Sequence, residues 1–551
     1  MAMRRQLAAW TALIALTLGA CGGGASGAGD GGSPPAPPPP PPPISDAEAW
    51  RFLNQATFGA TPAAADEFKR LGAAAWIDAQ MALPASLQLP FLQALPAPQF
   101  PFERQADRLD AWFRNAVNGE DQLRQRVAFA LSEIFVVSQQ GALVSYPYGL
   151  ASYYDMLAGH AFGNYRELLE DVTLHPAMGI YLSMLGNEKP DPALNIRPDE
   201  NYARELMQLF SIGLVELNAD GSVRLGADDQ PIPTYDQATI EAYAHVYTGW
   251  HFAGAPSFEL AFPNAFNQTI PMQLYPDYHD TGEKRLLSGV VLPAGQTGEQ
   301  DLAGALDSLF FHPNVGPFVA IRLIQRLTAS NPSPGYVSRV AAVFDDNGAG
   351  VRGDLGAVVR AILLDPEARP AAPGATDGKL KEPLLRLTQL WRAYDARSAS
   401  GRYALLAAGV FFGQAPLAAP SVFNFFSPFY APPGEIRDGS LVAPEMQIAT
   451  EYQNTLVTNY FLYQAFGLNS ASDALAEDDV YIDIDDEVEV AADTDALIDM
   501  VAAKLTGGEL SATLRAEIET MLALLPADDP VLRAAETIYF IASSPEFAYQ
   551  R

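Results

Sequence analysis

The chain has 551 residues, of which 49% are hydrophobic, so it can bury a large core, and at this length we expect two or more sub-domains. Lys and Arg together number 34 against 65 Asp and Glu, which gives a formal net charge of −31. So acidic a chain lacks the clustered cations that bind a nucleic-acid backbone or an anionic lipid surface, whereas cationic partners and divalent metals are compatible with it.

The N-terminal residues have the pattern of an export signal. Arg4 and Arg5 precede a short apolar run, Leu7–Ala20, which is too short to remain in a membrane as a spanning helix. The run ends in Leu-Gly-Ala-Cys, which resembles a bacterial lipobox, and Cys21 is the only cysteine of the chain. We therefore expect a lipoprotein signal peptide at 1–21 with lipidation of Cys21. The alternative is an ordinary secretory signal.

A stalk is predicted after the cysteine. Residues 22–45 are rich in glycine and then in proline, a composition that gives a flexible or semi-rigid spacer. Gly22 follows the cysteine, and resemblance to Gram-negative lipoproteins without aspartate there implies the outer membrane, facing the periplasm or the cell surface. The globular body is then expected at 46–551.

Helical patterns fill most of this body. Apolar residues recur at three- and four-residue spacing, and Ser45-Asp46-Ala47-Glu48 has a capping-box pattern. Besides the helix that begins there, we predict helices at Leu71–Met81, Arg104–Asn118, Asp121–Gln140, Ser152–Ala158, Tyr165–Leu174, Pro198–Gly213, Asp236–Tyr247, Asp301–Phe311, Gly316–Ala329, Tyr336–Phe344, Leu355–Leu364, Lys379–Tyr394, Glu445–Gly467, Thr494–Leu505 and Ser511–Leu525.

The predicted fold is mainly α, a large array of helical hairpins with a small β-hairpin and irregular insertion around 215–295. Turn residues at Asp220-Gly221 indicate a hairpin, and apolar residues in Glu283–Leu292 indicate a strand. The acidic stretch at about 471–493 is expected to be a solvated, partly disordered insertion.

Four helices run into a polar residue followed by proline, at Pro176, Pro313, Pro366 and Pro545. A residue before proline is pushed out of the helical region and can cap the next helix. We therefore interpret His175 and His312 as structural joints rather than as ligands.

One stretch, PDENYARELMQLFSIGL at 198–214, concentrates polar chemistry on a single predicted helix. Asp199 is placed to cap it, and Gly213 can end it in a left-handed conformation. Its polar side chains are three or four residues apart and share one face: Asn201, Arg204, Glu205 and Gln208. The face is either a ligand or acid–base site, or a buried Arg204–Glu205 bridge.

Several stretches resemble an uncharacterised bacterial exported family, that of domain of unknown function number 1800. The matching stretches, in order from about 46 to 551, are RFLNQATFGAT, ENYARELMQLFSIGL, YTGWHF, HDTGEKRLLSG, RLIQRLTASNPSPGYVSRVAAVF, GVRGDLGAVVRAILLDPEAR, KLKEPLLRL and SSPEFAYQR. The resemblance implies a mainly helical, extracytoplasmic protein. It also implies an exported partner of the domain-of-unknown-function-1501 type, which often accompanies the family.

This chain departs from its relatives where many of them carry histidines. A Trp-His-x-His run is replaced by a stretch that includes Leu131, Ser132 and Ile134, and Phe210 stands where many relatives have histidine. A mechanism shared through histidine-bound metal is therefore in doubt for this branch.

The candidate site residues come from the 198–214 helix and the region of His279-Asp280. We assign catalysis to Glu205, His279 and Asp280, metal binding to His251, His279 and Asp280, and ligand binding to Asn201, Arg204, Trp250 and Lys284. A divalent metal is the candidate cofactor. Turn-stabilising hydrogen bonds are the alternative role for these histidines.

A second candidate surface is the aromatic and proline-rich segment 411–433. Exposed, its aromatic residues would form a platform for sugars or a partner, and buried they would fix a long loop to the body. The residues concerned are Phe411, Phe412, Phe423, Phe425, Phe426, Phe429 and Tyr430.

Two functions are compatible with these patterns. The chain carries no HExxH, GxSxG or P-loop motif, which favours an exported, lipid-anchored binding or assembly component acting with another exported protein or an extracellular polymer. The alternative is an extracytoplasmic, metal-assisted hydrolase that uses the Glu/His/Asp cluster.

Overall fold

Helices form almost all of the regular structure, which confirms the predicted fold class. The computed structural model describes residues 43–264, 266–370 and 374–550. The predicted signal peptide, Cys21 and nearly all of the predicted stalk lie outside these residues.

The first half of the body begins with short helices that carry polar caps. Ser45, Thr61, Asn164 and Asp236 each accept a hydrogen bond from a backbone N–H of the helix they precede. The helices are α1 Asp46–Ala56, α2 Pro62–Leu71, α3 Ala73–Met81, α4 Leu89–Ala94, α5 Arg104–Asn118, α6 Gln122–Ser132, α7 Pro147–Gly159, α8 Tyr165–Leu174, α9 Pro176–Tyr181, α10 Asn201–Glu205 and α11 Gln237–Val246.

The second half continues in the same way. Its helices are α12 Gly298–Phe310, α13 Val315–Leu327, α14 Pro334–Asp345, α15 Leu355–Leu364, α16 Pro383–Ala393, α17 Ala408–Phe412, α18 Glu435–Asp438, α19 Glu451–Phe466, α20 Asp485–Val490, α21 Thr494–Thr506, α22 Ala512–Leu524, α23 Pro530–Ala542 and α24 Pro545–Ala548. A π-helix, Leu206–Ser211, follows α10. Short 3₁₀ turns lie at Pro101–Glu103, Gly141–Ser145, His160–Phe162, Phe258–Leu260, Pro276–Tyr278, Leu287–Gly289 and Pro444–Gln447.

The strands are two residues long and pair antiparallel: β1 Trp250–His251 with β2 Gln273–Leu274, β3 Lys284–Arg285 with β4 Val291–Leu292, and β5 Lys379–Leu380 with β6 Tyr549–Gln550. The single strand predicted at Glu283–Leu292 is wrong, because Ser288 and Gly289 take positive φ angles of 54° and 75° and turn the chain back on itself. Isolated bridges such as Val215↔Pro233 and Leu217↔Val223 supply the predicted hairpin.

The proline joints are built as predicted. Nδ1 of His175 and Nδ1 of His312 each accept a hydrogen bond from the backbone N–H two residues on, at 3.1 Å and 3.2 Å. Asp365 and Ser544 also accept bonds from the backbone that follows them, at 2.9 Å and 3.3 Å. The polar residue before each proline thus satisfies a backbone donor that the break in the helix leaves open.

Residues Ile44–Arg551 form one compact unit, so the expectation of two or more sub-domains is wrong for the body. Aromatic side chains such as Trp112 and Trp391 are fully buried in one hydrophobic cluster that extends from α1 to α24. Within the described ranges, none of the helices has the length and apolar character needed to cross a membrane.

The acidic segment is packed, in contrast to the expected solvated insertion. Val480, Ile482 and Ile484 are buried, and Tyr481 forms a bridge with Arg397. Its apolar residues pack against the body, while Asp485, Asp486 and Glu489 face water and the buried Glu487 pairs with Lys504 at 2.8 Å.

Two helices end earlier than their patterns predict, and both changes shape the site. α6 stops at Ser132, so residues 133–137 are buried without helical structure. α10 has only five residues before the backbone widens into the π-helix. The extended helices predicted at Asp121–Gln140 and over 198–213 are to that extent wrong.

Candidate functional site

The π-helix lies inside the stretch that the sequence singles out. Ser211 donates its hydroxyl to the carbonyl oxygen of Leu206 at 2.6 Å, and the N–H of Gly213 reaches the carbonyl of Met207 at 2.9 Å. Gly213 ends the turn with φ +73°, as predicted. π-helical turns are rare and occur frequently at functional sites.

The widened turn forms one wall of a cavity of about 590 Å³. The other walls come from α13, the 214–223 turn and residues 422–429. Apolar groups dominate the lining: Ile134, Leu209, Ile212, Leu214, Val215, Leu217, Val223, Phe318, Ile321, Val422, Phe423, Pro428 and Phe429. Volume and lining are those of a site for a small, largely apolar molecule.

Four large apolar side chains of this lining are strongly exposed. Leu214, Val223, Phe423 and Phe429 are 55%, 43%, 57% and 69% exposed. The aromatic segment is therefore divided, because Phe412 and Phe426 are buried while Phe423 and Phe429 remain accessible. Exposed large apolar groups gathered in one place indicate contact with a ligand or a partner.

Charged side chains enter the lining at three positions among the described residues: Glu133, Arg322 and Arg326. The two arginines are four residues apart on α13, so they lie on the same helix face. Two guanidinium groups and one carboxyl group leave the cavity wall formally positive, in a chain whose net charge is −31.

Arg322 is held mainly by aromatic rings. Its guanidinium lies 4.6 Å from the ring centre of Phe429 and 5.1 Å from that of Phe318, and it donates one hydrogen bond, to Gln325 at 3.1 Å. It forms no ion pair with any described carboxylate. Burial, and then the neighbouring charge of Arg326, lower the pKa of Arg322 to about 9, so the group stays protonated at neutral pH.

Arg326 is 5% exposed and lies 4.5 Å above the ring centre of Phe426. Its Nε is 3.7 Å from Oε2 of Glu133, which is an ion pair but too long for a hydrogen bond. Within the described part of the chain its guanidinium donates no hydrogen bond to the protein. A buried arginine normally uses several of its five donors, so this group is free to bind something else.

Glu133 follows the last residue of α6 and is 4% exposed. Its Oε1 accepts hydrogen bonds from the amides of Asn424 at 3.2 Å and Gln414 at 3.3 Å, while Oε2 accepts none. Burial raises the pKa of Glu133, and the attraction of Arg326 only partly opposes this.

A buried ionic network supports this side of the cavity. Lys379 pairs with Glu445 at 3.0 Å and with Glu382 at 3.6 Å, and all three are at most 1% exposed. The amide of Gln414 donates to Glu382 at 2.6 Å and also reaches Glu133. Linked buried charges of this kind fix side chains in single positions, which keeps the polar end of the cavity preorganised.

The residues predicted on the 198–214 helix have the following partners. Arg204 pairs with Glu200 at 2.8 Å, so the predicted Arg204–Glu205 bridge is wrong. Glu205 is buried with Oε2 unpartnered, and burial raises its pKa. Asn201 is exposed and donates its backbone N–H to Asp199 at 2.8 Å. The π-helix that replaces α-helix from Leu206 onward changes which side chains lie on the same face.

His279 and Lys284 belong to a buried cluster around Asp301. Lys284 Nζ lies 2.6 Å and His279 Nε2 3.2 Å from the same carboxylate oxygen of Asp301, and Nδ1 of His279 is 3.0 Å from the carbonyl oxygen of Thr248. These three side chains are at most 3% exposed. The cluster joins α12 to the insertion and is closed to solvent.

Asp280, His251 and Trp250 have separate partners. Asp280 pairs with His245, a contact that lowers the pKa of the carboxyl group. Nδ1 of His251 accepts the N–H of Phe252 at 2.8 Å, and Trp250 is buried in β1. Across the described ranges no group of three or more His, Cys, Asp or Glu residues could hold a metal ion. The metal set predicted from His251, His279 and Asp280 is not assembled here.

Sequence reasoning missed the arginine pair of the cavity. Arg322 and Arg326 stand in RLIQRLTASNPSPGYVSRVAAVF, one of the stretches that carry the family resemblance. Their i, i+4 spacing on an otherwise apolar helix was an available signal. Glu133 could not be found this way. The sequence pattern predicts that the apolar helix continues through residue 133, whereas α6 ends at Ser132.

Comparison with known proteins gives a family but no characterised relative. The sequence model of the family described as protein of unknown function (DUF1800) matches residues 51–549. No curated protein and no solved structure matches the chain. The match covers nearly the whole body, including the π-helix, both cavity arginines and the aromatic segment, and the chain therefore belongs to the DUF1800 family.

Proposed function

We propose that this protein is an exported, lipid-anchored binding component that holds a small, largely apolar molecule in the cavity between the π-helix, α13 and residues 422–429. The cavity is the observation that carries the proposal. It offers about 590 Å³ beside exposed aromatic side chains. The charged groups of its described lining are Glu133, Arg322 and Arg326, and Arg326 lies 3.7 Å from Glu133.

The sequence supplies the rest of the proposal. The lipobox-like end of the first 21 residues supports anchoring at Cys21, and the stalk would hold the body away from the membrane. Action together with another exported protein, of the domain-of-unknown-function-1501 type, or with an extracellular polymer belongs to the same proposal. The exposed Phe423 and Phe429 would serve such a contact.

The hydrolase alternative has less support. His279 and Asp280 both contact Thr248, but the carboxyl group of Asp280 pairs with His245, and His279 pairs with Asp301 and is 2% exposed. A substrate could reach this imidazole only after the Lys284–Asp301 cluster had opened.

Binding of the uncharged apolar fluorophore N-phenyl-1-naphthylamine tests the proposed function. We expect saturable fluorescence enhancement with one site per chain. The variant V422W places an indole in the lining of the cavity and should abolish that site, because the added ring fills the space that the fluorophore needs.

The matched control is L524W, which adds the same indole at a residue that is 82% exposed at the end of α22. Far-UV circular dichroism and thermal unfolding establish that both variants are folded. The proposal fails if the unaltered protein shows no saturable binding, or if V422W binds the fluorophore as well as L524W does.

A further inference from the structure

We propose that the ligand of this cavity is an amphiphile with one acidic head group, a carboxylate or a phosphate, which Arg322 and Arg326 bind while the apolar part fills the cavity. This inference rests on the proposed function, because it specifies the chemistry of the molecule that the same cavity would hold.

The first argument is charge balance. At the cavity wall and behind it, contacts link three cations with three carboxylates: Arg126, Arg326 and Lys379 with Glu133, Glu382 and Glu445. With all three carboxylates ionised this set is neutral without Arg322, and the raised pKa of Glu133 can only make the set more positive. The charge of Arg322 is therefore left over, and a single anion would neutralise it.

The second argument is hydrogen bonding. The guanidinium of Arg322 donates one hydrogen bond, and that of Arg326 donates none to the described protein. Guanidinium groups bind carboxylate and phosphate oxygens through paired N–H donors. Two such groups on one face of α13 offer an acid the donors that the protein leaves unused.

The third argument is placement. The guanidinium of Arg322 lies within 5.1 Å of the ring centres of both Phe318 and Phe429, so its position is fixed at the wall while its donors remain available. The rest of the lining is apolar, apart from Glu133 and the amide and hydroxyl groups of Gln208, Asn424 and Ser427. A pair of guanidinium groups in a mostly apolar lining matches the chemistry of an amphiphile.

The experiment compares head groups on one tail. Dodecanoate, dodecyl phosphate, dodecanol and dodecylamine, each below its micelle concentration, displace N-phenyl-1-naphthylamine from the full-length protein. We expect at least one of the two acids to bind at least about tenfold more tightly than dodecanol, and dodecylamine to bind no better than dodecanol. The two acids distinguish a fatty-acid source from a phospholipid source.

The variant R322M retains an unbranched apolar side chain beside the two rings and removes the charge. Measured within the variant, the ratio of acid affinity to dodecanol affinity should fall to within about threefold. R322K, which keeps the charge, should retain a preference and serves if R322M does not fold. R360M changes the net charge equally at a partly exposed arginine that pairs with Asp78, and should bind like the unaltered protein.

The outcomes separate the two proposals. If none of the four amphiphiles and no fluorophore binds, the proposed function fails. If all four bind equally well, the cavity binds apolar molecules and the acidic head group is refuted. A preference for dodecylamine would also refute it, because Glu133 would then be the group that selects the ligand.

Discussion

His175 is a buried helix cap that must stay uncharged to keep its hydrogen bonds. Nδ1 of His175 accepts the backbone N–H of Ala177, so its proton must be on Nε2, which lies 2.8 Å from Oγ of Ser152. Burial lowers the pKa of His175 to about 3. Protonation would place a second donor against the helix N-terminus that the ring now caps.

Acid should therefore destabilise the fold through this residue. The unfolded chain binds a proton on His175 below about pH 6.5 and the folded chain does not, so stability is complete above that pH and is lost as the pH falls toward 3. Between about pH 7.5 and pH 5.5 the loss from this residue is about 1.4 kcal/mol. In H175N, which keeps a cap but cannot titrate, urea unfolding should show a loss smaller by that amount.

The control is T61N, which exchanges one non-titrating cap for another before Pro62 and should leave the pH dependence as it was. If H175N and the unaltered protein show equal pH dependence, the pKa of His175 does not differ between the folded and unfolded states, and the prediction is wrong.

Glycine positions mark where elements must end or approach one another. Gly213 has φ +73°, and a Cβ there would lie 3.5 Å from the ring of Phe318, an ordinary contact. Gly249 has φ +84°, and a Cβ there would lie 2.9 Å from the backbone nitrogen of His279. The first position needs glycine for its backbone angle alone, and the second also needs it for space.

Alanine at these two glycines should therefore differ in cost. G213A introduces left-handed strain, for which we expect a loss of about 1 kcal/mol in the free energy of unfolding. G249A adds a collision with backbone that cannot move as a side chain can, so we expect a loss of about 2–4 kcal/mol. Urea unfolding of both variants measures the difference, and equal losses would contradict the close approach of residues 249 and 279.

The excess of acidic side chains affects the stability of the whole molecule. With 34 basic and 65 acidic side chains, repulsion among carboxylates opposes the compact state, and dissolved salt should relieve it. Raising NaCl from about 0.01 M to about 0.15 M shortens the screening length from about 30 Å to about 8 Å. We expect the Tm to rise by about 1 °C or more, as for a gain of about 1 kcal/mol in a chain of this length.

Differential scanning fluorimetry measures this effect, with KCl as the control, because screening does not depend on which monovalent cation is present. A Tm that fell with both salts would mean that the surface ion pairs contribute more to stability than the excess of carboxylates removes.

The sequence alone determined the helical class, the proline joints and the glycine at the end of the π-helix. These depend on interactions within one or two turns, such as the cap that His175 supplies or the backbone angle that Gly213 permits. The family stretches were also visible in the sequence, although they do not state a function.

Only the tertiary structure decided where the cavity lies and which charges face it. Arg126 donates a hydrogen bond to the backbone carbonyl of Arg326, 200 residues away in sequence. Glu133 reaches the cavity because α6 ends at Ser132, the residue before it. Helical periodicity identifies a face of an element but not the element opposite it. Long-range packing of the buried groups decides which charges are paired, and no local pattern encodes it. It also leaves Arg322 without a carboxylate partner among the described residues.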